Sequence, residues 1–331
     1  MEVMLYLCRL GCKWTEFTGT IATKHGNINI YKFLCENGHQ ISASDLIEAV
    51  RSGHLECVQY ILSKKREVLT ECKDDVITTA AGFGHLHILV AVAETNIVWR
   101  LYSCTPAAAA GHIDCLTFLR KCGCMWNANT CTSAAYGGHL DCLQSAHEHG
   151  CGWDEGTCCA AAGAGQQECL QYAHENGCPW EKSTCEAAAN GQHLRCLEYA
   201  REHGCPWDED TCRIAAGNGY LDCLHYAHEQ GCLWDASTTL RAAFGGHLEC
   251  LHYAFEHGCP WNEYTCEVAA QGGQIHCLAY ACERGCPLSQ RTARLAAIEG
   301  QLQCMWYACS KGCPLPPSLM LDSTGPWFSS C

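Results

Sequence analysis

The 331-residue sequence predicts an all-α fold, a solenoid of stacked helix-turn-helix repeats, on three observations. First, the chain repeats itself: GHLDCLQSAHEHGCGWDEGTC from Gly138, GQQECLQYAHENGCPWEKSTC from Gly165 and GYLDCLHYAHEQGCLWDASTT from Gly219 superpose without gaps. The period is 27, kept by cysteines at 115, 142, 169, 196, 223, 250, 277 and 304 and by those at 124, 151, 178, 205, 232, 259, 286 and 313. A fixed period of this length marks a repeat array. Second, glycines punctuate each unit twice, as at Gly138 and Gly150, where helices end. Third, the apolar residues between those glycines recur at helical spacing rather than alternating.

Each element of the unit follows from its residues. The first helix opens on a capping side chain: the position after the tryptophan column is Thr15, Ser42, Asn127, Asp154, Asp208, Asp235, Asn262 or Ser289 in eight of the eleven units. Their side-chain oxygens accept from the free N–H groups of a helix start. An acid often follows, as at Glu155, Glu209 and Glu263, at the positive end of the helix dipole. The helix runs through an alanine pair (Ala134-Ala135, Ala161-Ala162, Ala215-Ala216) and stops at Gly137-Gly138 or its equivalent. The second helix carries Leu140, Cys142, Leu143 and Ala146 on one face and stops at Gly150. Such a hairpin cannot bury its apolar face alone, whereas stacking on neighbours does.

The phase runs back into the less regular half. Gly84-His85-Leu86 stands one full period before Gly111-His112-Ile113, while Gly53-His54-Leu55 lies 31 before Gly84, which places a four-residue insertion around Lys64–Lys73. The sequence reads as one array over residues 1–313, about twelve units beginning mid-unit, followed by an irregular Pro/Ser-rich tail over 314–331.

The run Thr-Cys-x-x-Ala-Ala-x-x-Gly-His-Leu-Asp-Cys-Leu over Thr130–Leu143, followed by Gly150-Cys151, resembles the ankyrin repeat, whose units read T-P-L-H-x-A-A-x-x-G-H-L-E-V-V and then G-A-D-V-N. On that alignment Cys131 stands at the buried leucine of the family's first helix, Cys142 at the first valine of the second, Cys151 at the alanine after the glycine, and Trp153 at the valine before the asparagine. Ankyrin units have about 33 residues. The six that are missing here fall before the first helix, so the resemblance implies β-hairpin fingers that are shortened or absent. Short units rich in Cys and Trp also resemble the expanded ankyrin families of protists, algae and the large DNA viruses that infect amoebae.

Charge and targeting narrow the function class. Asp and Glu number 35 against 21 Lys and Arg, a formal charge of −14, which disfavours nucleic acid or an anionic membrane surface as partner. The start, MEVMLYLCRLGCKW, lacks the basic segment and small-residue cleavage site of a signal peptide. The most apolar stretch, residues 88–93, is too short to span a bilayer. The expectation is a monomer without cofactor in a reducing compartment: cytoplasmic, with the nucleus or, for a viral chain, the host cytoplasm also compatible.

The 32 cysteines would mark a disulfide scaffold in a short secreted chain, but a chain of this length buries a core without staples. Twenty-four of them form three columns: nine in the second helix (Cys57, then the eight from Cys115), nine after the glycine (Cys12, then the eight from Cys124), and six in the first helix (Cys104, Cys131, Cys158, Cys185, Cys212, Cys266). Ile30, Ile88, Ile97, Thr239 and Ala293 substitute within those columns. A thiol that exchanges with isoleucine acts as a small buried hydrophobe. Like cysteines of adjacent units are expected to sit too far apart for disulfides, whereas different columns, such as Cys131 with Cys142, approach more closely. The alternative to a binding scaffold is a metal- or redox-responsive thiol array. It rests on H-x3-C-x6-C runs such as His147, Cys151 and Cys158, ligand types that zinc accepts. Arg201, Phe255, Cys282 and Cys309 replace the histidine elsewhere, which excludes a site required in every unit.

Eight tryptophans form a further column: Trp14, Trp99, Trp126, Trp153, Trp180, Trp207, Trp234 and Trp261. Basic residues are not interleaved with it, so the column reads as cover for the seam between units rather than a platform for nucleobases. A fully buried role predicts about 3–5 kcal/mol lost in Trp207→Ala. Recognition is sought where units differ: at Tyr136, Asn190, Phe244, Gln271 and Ile298 after the alanine pair, and at His149, His203 and His257 before the terminal glycine. Matching ankyrin positions line the concave groove that binds partner proteins, and the resemblance implies the same here. No phosphate loop, H-E-x-x-H, nucleophile elbow or kinase signature is present, and a residue repeated in every unit is a poor candidate catalyst. The function expected is a protein–protein interaction scaffold or adaptor, not an enzyme.

Overall fold

The computed structural model describes residues 14–95 and 104–314, which contain 22 α-helices and no strand. Cys8, Gly11, Cys12, Ile97 and Trp99 and the tail from residue 315 lie outside the described residues. The chain forms two compact units, divided between residues 161 and 179. In the first are α1 (Glu16–Lys24), α2 (Ile28–Glu36), α3 (Ala43–Arg51), α4 (Leu55–Lys64), α5 (Glu67–Gly82), α6 (Leu86–Ala93), α7 (Thr105–Ala109), α8 (Ile113–Lys121), α9 (Ala128–Gly137) and α10 (Leu140–Glu148), with most of α11 (Glu155–Gly163) and α12 (Gln167–Glu175). In the second are α13 (Lys182–Asn190), α14 (Leu194–Glu202), α15 (Glu209–Asn218), α16 (Leu221–Glu229), α17 (Ala236–Gly245), α18 (Leu248–Glu256), α19 (Glu263–Gln271), α20 (Ile275–Glu283), α21 (Arg291–Ile298) and α22 (Leu302–Ser310). Within each unit the helices pair into hairpins that stack as a solenoid: first helix packs on first helix, second on second.

The local chemistry of the hairpin is that of its capping residues. Asp208 and Asp235 accept from the backbone N–H two residues on, at 3.1 and 2.8 Å, and α9 ends at Gly138, which takes φ 74°. The turn that follows is locked from the next repeat. A Cβ added at Gly219 would lie 2.4 Å from Nδ1 of His247, and one at Gly111 would lie 2.4 Å from Nδ1 of His139. The Gly and His columns of the turn are therefore two halves of one inter-repeat contact. Where His54 and His85 stand, Nε2 also bonds a carbonyl of the preceding first helix, Lys24 O at 3.2 Å and Arg51 O at 3.1 Å.

The core is narrow. The alanine pairs of α9, α15, α17 and α19 are fully buried, which lets first helices approach closely. Most second helices bury a leucine completely, as at Leu143, Leu197, Leu224 and Leu251, worth roughly 1.5–3 kcal/mol apiece. The insertion adds helix rather than loop: α5 has 16 residues and bends at Cys72 (φ −127°, ψ 24°), so the extra residues form a turn ahead of the repeat's ordinary first helix.

Candidate functional site

The eight partner-binding candidates fall into two rows. Tyr136, Asn190, Phe244, Gln271 and Ile298 occupy the last two positions of α9, α13, α17, α19 and α21. Three are large apolar side chains left in solvent: Tyr136 is 65% exposed, Phe244 46% and Ile298 66%. The polar members bond along the row of the second unit, Asn190 Oδ1 accepting from Asn218 at 3.0 Å and Gln271 donating to Glu299 at 3.4 Å. His149, His203 and His257 instead cap the C-termini of α10, α14 and α18. Because the two helices of a hairpin run antiparallel, this is its opposite end, about 13 Å away along a nine-residue helix. Each of these rings donates from Nδ1 to a carbonyl four residues earlier, at 2.8 Å. The structure therefore does not gather the eight into one surface.

The tryptophan column is half-buried rather than buried, except at Trp126. From Trp126 on, each tryptophan of the column makes an edge contact with a ring of its own hairpin, as in Trp153–Tyr172, Trp207–Tyr226, Trp234–Tyr253 and Trp261–Tyr280, with centroids 6.1–6.4 Å apart. On the other face lies the residue six positions earlier, from the preceding hairpin. His147 stacks on Trp153, His228 on Trp234 and Phe255 on Trp261, all at 3.8 Å, and Arg201 lies 4.5 Å from the ring of Trp207. This explains the variability read from the sequence. From Trp126 to Trp261 the position holds a flat or cationic group, whereas Cys8 and Ala93 precede Trp14 and Trp99, and Cys35 or Cys282 stands where Ile41 or Leu288 follows. Burial and the neighbouring His257 push the His228 pKa down.

The thiols are bonded within single hairpins. Cys151 Sγ donates to Asn127 O at 3.0 Å, and Cys178, Cys205, Cys232, Cys259 and Cys286 make the same link to the residue that caps their first helix, at 3.1–3.3 Å. The post-glycine thiol also meets the first-helix thiol of its own hairpin: Cys124 with Cys104, Cys151 with Cys131, Cys205 with Cys185, Cys232 with Cys212. Cys131 thus contacts Cys151. Within such a pair the hydrogen bond from Cys131 lowers the Cys151 pKa and raises that of Cys131. No disulfide joins the described cysteines. His147, Cys151 and Cys158 do not form a ligand set: the ring lies flat on Trp153 and the Cys151 thiol is turned to Asn127. Among the described residues, three possible ligands converge only at Glu186, Asp208 and Asp210, and Lys182 and Arg213 already pair with Asp208 and Asp210.

One polar cluster escaped sequence reasoning. Asp45 is fully buried. Its Oδ2 accepts from Tyr31 Oη at 3.0 Å, His39 Nε2 at 2.9 Å and Ser42 N at 3.1 Å, and Oδ1 accepts from Thr20 Oγ1 at 2.9 Å. In register, Tyr31 stands where most other hairpins bury leucine, His39 in the post-glycine cysteine column, and Asp45 where Thr130 and its equivalents stand. Gly19 occupies the first-helix cysteine position, and a Cβ there would lie 2.0 Å from His39 Nε2. Four core columns change together so that an imidazole and a carboxylate fit. The signal was in the sequence as four simultaneous departures from the repeat, but no column taken singly reveals it.

Two ankyrin-repeat proteins are similar to parts of the chain. The chain is 35% identical over 80 residues to the ankyrin repeat and KH domain-containing protein mask-1 of Caenorhabditis elegans, a match that covers 23% of this chain and 3% of that protein. Among solved structures, the human ASB11 ankyrin repeat domain is similar at 18% identity with a TM-score of 0.42, over 47% of this chain and 84% of that one. No family model matches the chain.

Proposed function

This chain is an ankyrin-repeat protein, and we propose that it works as a scaffold that binds another protein through the side chains at the ends of its first helices. The observation that carries the reading is the exposure of Tyr136 in the first unit, and of Phe244 and Ile298 in the second, on a frame in which the nearby Ala135, Ala243 and Ala296 are fully buried. Large apolar side chains held in water on rigid elements are what a recognition surface offers. We assign the protein no catalytic step and no cofactor, and take it to act as a monomer. Its thiol content suits a reducing compartment, cytoplasmic or nuclear. No described helix is long and apolar enough to cross a membrane.

The test is affinity capture with the full chain and with a Tyr136→Ala/Phe244→Ala/Ile298→Ala variant, bound proteins being quantified by mass spectrometry. The reading expects at least one partner to drop tenfold or more with the variant. Unaltered capture of every partner overturns the assignment of this row.

A further inference from the structure

We infer that the second-helix face of the second unit is a separate docking surface, for a lysine- or arginine-rich protein segment that inserts an apolar anchor. The inference shares with the scaffold reading only the class of partner, a protein, and it concerns a different face.

A shallow hollow of about 460 Å³ opens between α16 and α18, lined by Leu221, Leu248, Tyr253 and His257 and rimmed by Glu249 and Glu256. That volume lies within the range of ligand-sized pockets. Its floor is apolar, and Leu248 stays exposed although it opens its helix in a well-packed array. Exposed apolar residues rimmed by polar ones mark interaction sites.

The sign of the partner follows from the rim. The last residue of the second helix is Glu202, Glu229, Glu256 and Glu283 in four successive hairpins of this unit. A carboxylate there faces the negative end of the helix dipole, an unfavourable placement. A local rule broken in four successive hairpins, where Gln or Lys would serve the helix better, points to a demand other than folding. His225 and His252 lie one turn back, bonded to Glu229 at 3.3 Å and Glu256 at 3.1 Å. Arg284 approaches Glu256 at 3.9 Å. With Asp222 and Glu249 also exposed, the acids outnumber the cations around the hollow. A basic segment would place its charges on the Glu229–Glu256–Glu283 row and its anchor between Leu221 and Leu248, away from the Phe244–Ile298 row.

The experiment uses the full chain and a synthetic 14-residue amphipathic helical peptide of Leu and Lys, with binding measured by isothermal titration calorimetry at low and high salt. Three variants are compared: Glu229→Gln/Glu249→Gln/Glu256→Gln, Leu248→Ser, and the control Glu71→Gln/Asp74→Asn/Asp75→Asn. The control removes the same charge from an exposed stretch of the first unit. Circular dichroism verifies that each remains helical. We expect the first two to weaken binding tenfold or more and the control to change it less than twofold. Equal losses in the two charge variants, unchanged affinity in Leu248→Ser, or no binding by the parent chain overturns the inference. None of these results bears on capture by the Tyr136, Phe244 and Ile298 side chains, so the two readings fail separately.

Discussion

The Asp45 carboxylate and the His39 imidazole meet at 2.9 Å in the interior of the first unit. They join the end of one hairpin to the start of the next. A buried carboxylate with all of its neighbours present is tolerated, but removing a single partner leaves an uncompensated group in a low-dielectric interior.

Asp45→Ala is therefore expected to cost about 3–5 kcal/mol in chemical denaturation, with loss of amide exchange protection concentrated in α1–α4. The quadruple change Gly19→Cys, Tyr31→Leu, His39→Cys, Asp45→Thr restores the pattern of the other hairpins and should recover most of that stability. A quadruple variant no more stable than Asp45→Ala would show that the four positions do not act as a set.

The tryptophans should differ among themselves. Trp126 is 9% exposed, and Trp126→Ala is expected to cost about 3–5 kcal/mol, as for other buried truncations. Trp207 is only half-buried, between Tyr226 and Arg201, so Trp207→Ala should cost about 2 kcal/mol, mostly lost aromatic and cation–π contact. This replaces the larger loss expected from the sequence. Urea unfolding of the two variants side by side tests the order.

Stability should fail on the alkaline side before the thiols ionise in the fold. Burial, with the adjacent acid, pushes Cys142 and Cys223 up to about 11 and Cys250 to about 12, and burial with Glu168 pushes Cys169 to about 11. The ordinary thiol value is 9.0. Groups raised by folding contribute stability that is complete below the unfolded pKa and is lost as pH climbs through the folded one. The melting temperature is thus predicted to fall from pH 9 towards pH 12. The Cys142→Val/Cys169→Val/Cys223→Val/Cys250→Val variant should show a shallower fall, and an identical pH profile would contradict the assignment.

Native mass spectrometry of the purified chain should return a metal-free mass. Alkylation after unfolding without reductant should modify all 32 cysteines. A bound metal or a shortfall in alkylation would favour the thiol-array alternative over the packing role.

Period, helix limits and caps were legible in the sequence because each is set by one residue acting on its own neighbours: Asp208 on the N–H of Asp210, Gly138 through its φ of 74°. Contacts that join the start of a hairpin to its far end, or one hairpin to the next, were not. Nothing in the spacing of Cys131 and Cys151 says that the two thiols face each other. The stacking of His147 on Trp153 accounts for a histidine that ligand spacing offered to a metal only in the alternative reading. The candidate recognition residues were found by variability alone, a criterion blind to which end of a hairpin a side chain occupies. It therefore merged Phe244 and His257 into one set.

The thiol links close within a hairpin, as Cys232 does on Asp208, whereas the Trp234 ring is held from both sides, by His228 of the hairpin before and Tyr253 of its own. In a one-dimensional lattice of repeats the first kind of contact sets how stable each site is, and the second sets how strongly one site's state dictates the next. Weakening the thiols would lower every site evenly and keep unfolding sharp. Weakening the tryptophan sandwiches would let segments of the array melt one at a time.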